Sequence, residues 1–379
     1  MANVAVVGAG LIGRLTALSL VRNGYRVTIF DKDNKQATQS AAYAAAGLLT
    51  PLGESLHCTP NIVEMGIVSL NLWPQILAQL QHQVDFQQLG ALMISHQQDF
   101  GEYQRLTRHL TRHYPQHDMH KLNQSQLFQL EPQLSQQFTQ GVYLPLEGQI
   151  DNRMLLTALK RELECKLINW HSESIVTGLT NALDHCALSA NGQLHKFDLV
   201  VDARGTGART QESSQKAAPL TDLRGVRGEL FHLLAPEVEL TRPVRLMHPR
   251  YQLYIAPKAN NIFVVGATEL ESDCRKPITV RSSLELLSAA YSVHSGFAEA
   301  HIQQHISQLR PAFNDNQPQI RCKNRLIQVN GLYRHGYLIA PVVVKQLETT
   351  VEHALKSRAP TSGESVSSNY SSLLPIRFC

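Results

Sequence analysis

The sequence predicts an α/β protein with a doubly wound parallel sheet, joined to a second α+β domain whose sheet is mainly antiparallel. Three observations predict it. Residues 4–31 read as strand, glycine turn, helix, strand and acid in unbroken succession. Residues 226–266 hold four short β-rich runs. The 379-residue length provides for about two domain-sized units, which need not be consecutive in the chain.

The elements follow in order. Val4-Ala5-Val6-Val7 is a short apolar run of the buried-strand type. Gly8-Ala9-Gly10-Leu11-Ile12-Gly13 comes next, and Ile12, Leu15, Leu18 and Val21 fall on one face of a helix. Asn23-Gly24 stops that helix, because glycine tolerates the left-handed conformation of a C-cap. Arg26–Phe30 is a second strand, closed by Asp31. Gly8 permits the tight turn, Gly10 lets the backbone approach a pyrophosphate, and Gly13 lets helix and strand pack closely. The helix N-terminus offers unbonded N–H groups and a positive dipole end to phosphates. Asp31 is spaced to accept from adenosine ribose hydroxyls, and an acid there disfavours the 2′-phosphate of NADP. The unit is of the Rossmann type, and by itself it leaves NAD and FAD both open.

Composition excludes several classes. Hydrophobic residues make up 43%, so general disorder and low-complexity scaffolds are excluded. Lys+Arg 35 against Asp+Glu 31 leaves a small, scattered excess, which argues against nucleic-acid binding. No apolar run approaches the ~20 residues that span a bilayer. With Val4–Val7 entered directly and no basic leader, a cytoplasmic protein is expected. Cys58, Cys165, Cys186, Cys274, Cys322 and Cys379 show no C-x-x-C spacing and are read as free buried thiols. His109, His113, His117 and His120 resemble zinc spacing, but Pro115 breaks their helix and no Cys or carboxylate matches. No metal site is assigned.

Four further segments carry a resemblance. Ser40–Pro51 is rich in small residues, which let backbone lie against a flat ring system. Gly148-Gln149-Ile150-Asp151-Asn152-Arg153 opens a helical pattern over Met154–Leu163. Asp198–Ala208 is a buried strand ending in a glycine turn, and Gly331–Pro341 contains Tyr333-Arg334-His335-Gly336. In this order and spacing, from about residue 3 to about residue 350, the chain resembles the D-amino-acid oxidase family of FAD enzymes. Its nearest branch is glycine oxidase of the thiamine-pathway type. The Ser-rich segment Ser357–Cys379 matches nothing in that family.

The resemblance implies a discontinuous FAD domain over 1–85, 141–220 and 320–355, a substrate domain over 86–140 and 221–319, and a tail over 356–379. Runs at Val226–Leu233, Val244–Met247, Tyr251–Ala256 and Asn261–Gly266 supply the second sheet, and Leu284, Leu287 and Tyr291 mark one face of a helix near 279–293. For noncovalent FAD it implies Gly8, Gly10, Gly13 and Asp31; Ala45, Ala46, Gly47 and Leu48 beside the ring; Val176 at the adenine; Gly205 near the pyrophosphate; and His335, Gly336, Tyr337 and Leu338 at the pyrimidine side. For the substrate it implies Arg310, whose planar fork suits a carboxylate, with Tyr254 sharing that carboxylate and Arg334 nearby. A solvated arginine, a sheet tyrosine and a surface ion pair are the bland alternatives for these three. A packed histidine is the plainer reading of His335.

Two functions follow from the resemblance. The first is an oxidase that takes a hydride from Cα of glycine or another small amino acid or amine, with oxygen reoxidising the flavin to give hydrogen peroxide. The second is a flavoprotein that matures the cysteine tryptophylquinone cofactor of a partner quinoprotein. Retention of Tyr254 and Arg310 favours the first; the unmatched tail and the His/Gln-rich 81–128 stretch leave room for the second. A homo-oligomer is compatible with either. An NAD-dependent dehydrogenase is a third, bland reading.

Overall fold

A computed structural model describes residues 1–166, 168–209, 218–250, 252–356, 372–374 and 376–378. Tyr251, Cys379 and most of the tail from Ser357 onward lie outside the described residues.

The first sheet has seven strands in the order Ile376–Phe378, Gln319–Lys323, Leu326–Asn330, Leu199–Asp202, Asn3–Val7, Arg26–Phe30 and Asn169–His171. Its centre is parallel: Val4–Val7 run in register beside Val27–Phe30 on one side and Leu199–Asp202 on the other. Such strands are covered on both faces and read as continuous apolar runs, as Val4–Val7 does. The helices Leu11–Arg22, Pro60–Leu77, Asn152–Cys165 and Gly336–Lys356 share one apolar core with this sheet. The first of them is buried on nearly every side, including Arg14, so the single apolar face expected from Ile12, Leu15, Leu18 and Val21 is too narrow.

The second sheet has eight strands and is antiparallel except where Val244–Met247 runs beside Ala91–Ser95. Its order is His301–Phe313, Leu223–Leu234, Ile262–Gly266, Gln252–Lys258, Val244–Met247, Ala91–Ser95, Gln140–Leu144 and His120–Asn123. The β-rich runs expected over 226–266 are all present. Two small three-stranded sheets, Val176–Asn181 with Cys186–Ala190 and Gln193–Phe197, and Leu48–Leu49 with Gly148–Ile150 and Phe86–Gln87, complete the fold.

Four expectations need correction. The helix Val280–Val293 exists, but it buries Leu286, Ala289, Ala290 and Val293, whereas Leu284 and Tyr291 are 63% and 54% exposed. Alanines carry little hydrophobic weight in a sequence pattern yet pack closest to a sheet. Gln140–Leu144 belongs to the second sheet, so the segment drawn as 141–220 begins inside a substrate-side strand. The tail is not wholly separate: Ile376–Phe378 adds a parallel edge strand beside Ile320–Cys322, and Leu374 enters the first core. Of the thiols read as buried, Cys186 and Cys322 are buried, Cys58 is half-buried, and Cys165 and Cys274 are exposed. The helix Phe100–His113 does stop two residues short of Pro115. Among the described residues no helix is long and apolar enough to cross a membrane.

Candidate active site

A cavity of about 920 Å³ opens between the two large sheets, near the upper end of the ~300–1,000 Å³ range of ligand sites. Its first part is built on the glycine turn. Gly8 has φ +100°, and a Cβ there would meet the Ala203 carbonyl oxygen at 2.6 Å. A Cβ on Gly13 would come within 1.8 Å of the Gly8 carbonyl oxygen, so helix and turn touch backbone to backbone. At Gly10 a Cβ would face open space, its nearest neighbour Ser40 Cβ at 3.9 Å. The helix that follows has no side-chain cap and no acid in its first turn. Its first residues, Gly10, Leu11 and Ile12, line the cavity, an arrangement suited to an anion.

Asp31 ends the second strand and lines the same part of the cavity. It is also a strut: Oδ1 accepts from the Asp33 N–H at 2.6 Å, and Oδ2 accepts from the Ala9 N–H. Burial pushes its carboxyl upward, against those two backbone bonds. Val176 lines the wall at the start of its strand, where the ladder is irregular between Val176 and Gly178. Gly205, φ +56°, lies at the cavity in the turn after Leu199–Asp202, and its carbonyl accepts from Asn330 Nδ2 at 3.0 Å.

Ala45, Ala46, Gly47 and Leu48 form the next stretch of wall. Gly47 has φ +72°, and a Cβ there would lie 2.1 Å from the Ile150 carbonyl oxygen. The segment is pinned from behind. Asn152 Nδ2 donates to the Ala42 and Tyr43 carbonyls at 3.1 and 3.0 Å, and the Tyr337 hydroxyl donates to Ala42 at 3.1 Å. His335, Gly336, Tyr337 and Leu338 line the cavity where the last long helix begins. Burial first, then Arg334 and Arg245, hold the His335 imidazole down to about 4 against the pull of Glu54, so it is neutral at physiological pH.

The remaining wall comes from the second sheet. Arg310 and Tyr254 both face the cavity, each over a glycine of a neighbouring strand. A Cβ on Gly228 would strike the Arg310 guanidinium at 2.3 Å, and one on Gly266 would meet the Tyr254 hydroxyl at 2.9 Å. Arg310 Nη1 donates to the Thr268 carbonyl at 3.1 Å. Among the described residues no carboxylate lies within ion-pair distance of it. Burial raises the Tyr254 hydroxyl, which stays a neutral donor.

Arg334 lines the cavity too, but its charge is committed. Its Nε donates to Glu54 Oε2 at 2.9 Å and its Nη1 to Glu269 Oε2 at 2.6 Å. Arg245 reaches the other oxygen of Glu54 at 2.6 Å, and Gln252 Oε1 bridges the two guanidiniums at 2.9 and 3.1 Å. Burial alone would raise Glu54, yet Arg245 and Arg334 carry it well below the usual carboxylate range. Glu54, Arg245, Gln252 and Asn152 were not singled out from the sequence. Their partners are remote in the chain, so only the position of Asn152 inside Gly148–Arg153 gave any signal.

The set fits FAD: an uncapped helix start over open space at Gly10, an acid at the end of the second strand, a small-residue wall, and a second helix start at Gly336. Residues 3–347 match the family described as DAO, FAD dependent oxidoreductase. The chain belongs to that family. It is a flavoprotein oxidoreductase with FAD as cofactor. Among its relatives is a Rhizobium etli protein assigned as the thiamine biosynthesis oxidoreductase ThiO, 33% identical over 345 residues, spanning 91% of this chain and 94% of that one. Glycine oxidase of Geobacillus kaustophilus is 24% identical over 353 residues, 90% of each chain. The crystal structure of that glycine oxidase shares the fold with TM-score 0.82 at 22% identity, covering 93% of this chain and 95% of the other. Iminodiacetate oxidase from Chelativorans superposes with TM-score 0.79 at 21% identity, over 98% and 99% of the two chains.

Proposed function

We propose that this flavoprotein oxidises the amine of a small amino acid carrying one carboxylate, glycine or an N-substituted glycine among them. The observation that carries the reading is Arg310: a cavity-facing guanidinium bonded to a backbone carbonyl and without a carboxylate partner among the described residues. Bound FAD supplies a two-electron acceptor for hydride from Cα, with oxygen as the terminal oxidant and hydrogen peroxide as its product. The chain's own residues supply position and charge. Arg310 offers two parallel N–H donors to the substrate carboxylate, and the neutral Tyr254 hydroxyl offers a third. His335 is uncharged and adds no positive charge beside the amine, which must lose its proton before hydride departs. The FAD site uses Gly8, Gly10, Gly13 and Asp31 at one end and Ala45–Leu48 with His335–Leu338 at the other. FAD is held without a covalent link.

The test is anaerobic mixing of the yellow holoprotein with glycine, sarcosine and D-alanine while flavin absorbance is followed. Bleaching by one of them supports the reading. Failure of all three, with capture of a larger quinoprotein partner, would put the maturation function in its place.

A further inference from the structure

Three arginines on the substrate wall are wholly or partly withdrawn from solvent: Arg245 is buried, and Arg310 and Arg334 are half-buried. Three such guanidiniums would make a chamber suited to polyanions. Two carboxylates cancel most of that charge. Glu54 stands between Arg245 and Arg334 and bonds both, and Glu269 takes the outer nitrogen of Arg334. The three arginines, Glu54 and the exposed Glu269 thus sum to one positive charge, located at Arg310. Glu54 is not required to start its helix, which is only the four residues Pro51–Glu54. It ends the short helix that follows Ala45–Leu48 and bonds the arginine pair.

We propose that Glu54 is a specificity-determining residue: by neutralising Arg245 and Arg334 it restricts the chamber to substrates with one carboxylate and turns away those with two. The inference rests on the amino-acid reading above. A second substrate carboxylate would have to displace Glu54 from two guanidiniums or lie uncompensated beside it, and like charges at close range in a shielded site cost several kcal/mol. Arg105, Arg250, Arg275 and Arg281 also line the cavity, but all four are exposed and meet every anion alike at its solvent side.

Glu147 bears on the test. It is fully buried behind this wall, with one oxygen accepting from the Gly53 N–H at 2.7 Å and the other without a hydrogen-bond partner among the described residues. If Glu54 were neutralised alone, Glu147 would ionise beside Arg245 and take over as its counter-ion. The decisive variant is therefore Glu54→Gln/Glu147→Gln.

The holoenzyme is titrated with acetate and with malonate, which differ by one carboxylate, and the perturbation of the flavin spectrum is read without turnover. In wild type acetate binds more tightly than malonate. In Glu54→Gln/Glu147→Gln the malonate-to-acetate affinity ratio should rise about tenfold or more, and turnover should shift from sarcosine towards iminodiacetate. Arg245→Gln changes the charge in the other direction, so its ratio should fall below wild type; this arm stands even if the carboxylate variants fail to fold. Glu54→Asp keeps the charge and should keep the wild-type ratio. If acetate binds wild type but neither variant moves the ratio by more than about twofold, Glu54 sets no specificity. If neither acetate nor any of the amino acids touches the wild-type flavin, the amino-acid reading fails first and takes this inference with it.

Discussion

At the scale of single residues, the proposed anchors for the cofactor and for the substrate lie at different parts of the cavity, and mutations should separate them. Arg310→Ala removes the guanidinium without a carboxylate partner. Loss of a desolvated charge-assisted partner costs about 2–5 kcal/mol, roughly 30- to 5,000-fold in affinity. Amino acids and carboxylate inhibitors should weaken together, neutral amines much less, and flavin content should not change; anaerobic flavin reduction and inhibitor titration measure this. Asp31→Ala acts at the other end of the cavity. It removes acceptors for the ribose, each bond worth about 0.5–1.5 kcal/mol net and more to a charge. It also releases the Ala9 and Asp33 N–H groups that Asp31 now holds. The variant should purify with less flavin and regain colour on adding FAD, and its apoprotein should melt below wild-type apoprotein. Full flavin retention through dialysis would remove Asp31 from the ribose site. Both residues were legible in the sequence because a motif fixes their place. Glu54 and Arg245 were not, since their meaning comes from a pairing between remote segments that no local pattern encodes.

At the scale of elements, glycines set which side chains can reach the cavity. The Leu223–Leu234 strand passes beneath Arg310, and the bare surface at Gly228 is where the guanidinium lies. Gly228→Ala would place a methyl 2.3 Å from Arg310 Nη2 and tilt the guanidinium away from its place. The expected result is a rise in substrate KM of about tenfold, equivalent to ~1.4 kcal/mol, with FAD content unchanged and the spectrum of the free holoenzyme as in wild type. An unchanged KM would mean that the guanidinium has room to shift without loss. The strand, turn and helix units of the first thirty residues were readable because their periodicities and glycines agree at every level. The face of Val280–Val293 was misread because Leu284 and Tyr291 outweigh Ala289 and Ala290 in a hydrophobic pattern, whereas the sheet selects the small residues for close approach. The tail strand Ile376–Phe378 was missed because three residues added to a sheet edge leave no periodic signature.

At the scale of the whole molecule, two sheets with separate cores close around a cavity lined by apolar and charged residues alike, and the buried ionisable groups of the fold should show in stability against pH. His57 and His335 are lowered to about 4 and His232 to about 3, burial being the largest cause in each. Their folded pKa values lie below the unfolded value of about 6.5, so the unfolded chain binds more protons in that interval and stability falls as pH drops from about 6.5 towards 4. Glu147 has the opposite sign. Burial raises it to about 8, above its unfolded value of about 4.3. The folded protein keeps a proton there that the unfolded chain has lost, so stability falls as pH rises from about 4.5 to 8. Below pH 6 the three histidines outweigh one carboxyl; above about pH 7.5 the histidines are mostly deprotonated in both states and Glu147 dominates among these four. The holoprotein should be most stable near neutrality, with a steeper decline on the acid side. On the alkaline side the slope should stay below one proton, under about 1.4 kcal/mol per pH unit, because the unfolded histidines and Lys258, lowered to about 8 by burial, act against Glu147. Thermal melting from pH 5 to pH 8 measures the curve, and Glu147→Gln isolates the carboxyl: the variant should lose the decline between pH 7 and 8 and keep the acid limb. If wild type and Glu147→Gln decline equally between pH 7 and 8, Glu147 is ionised in the folded protein and Arg245 already has a second counter-ion.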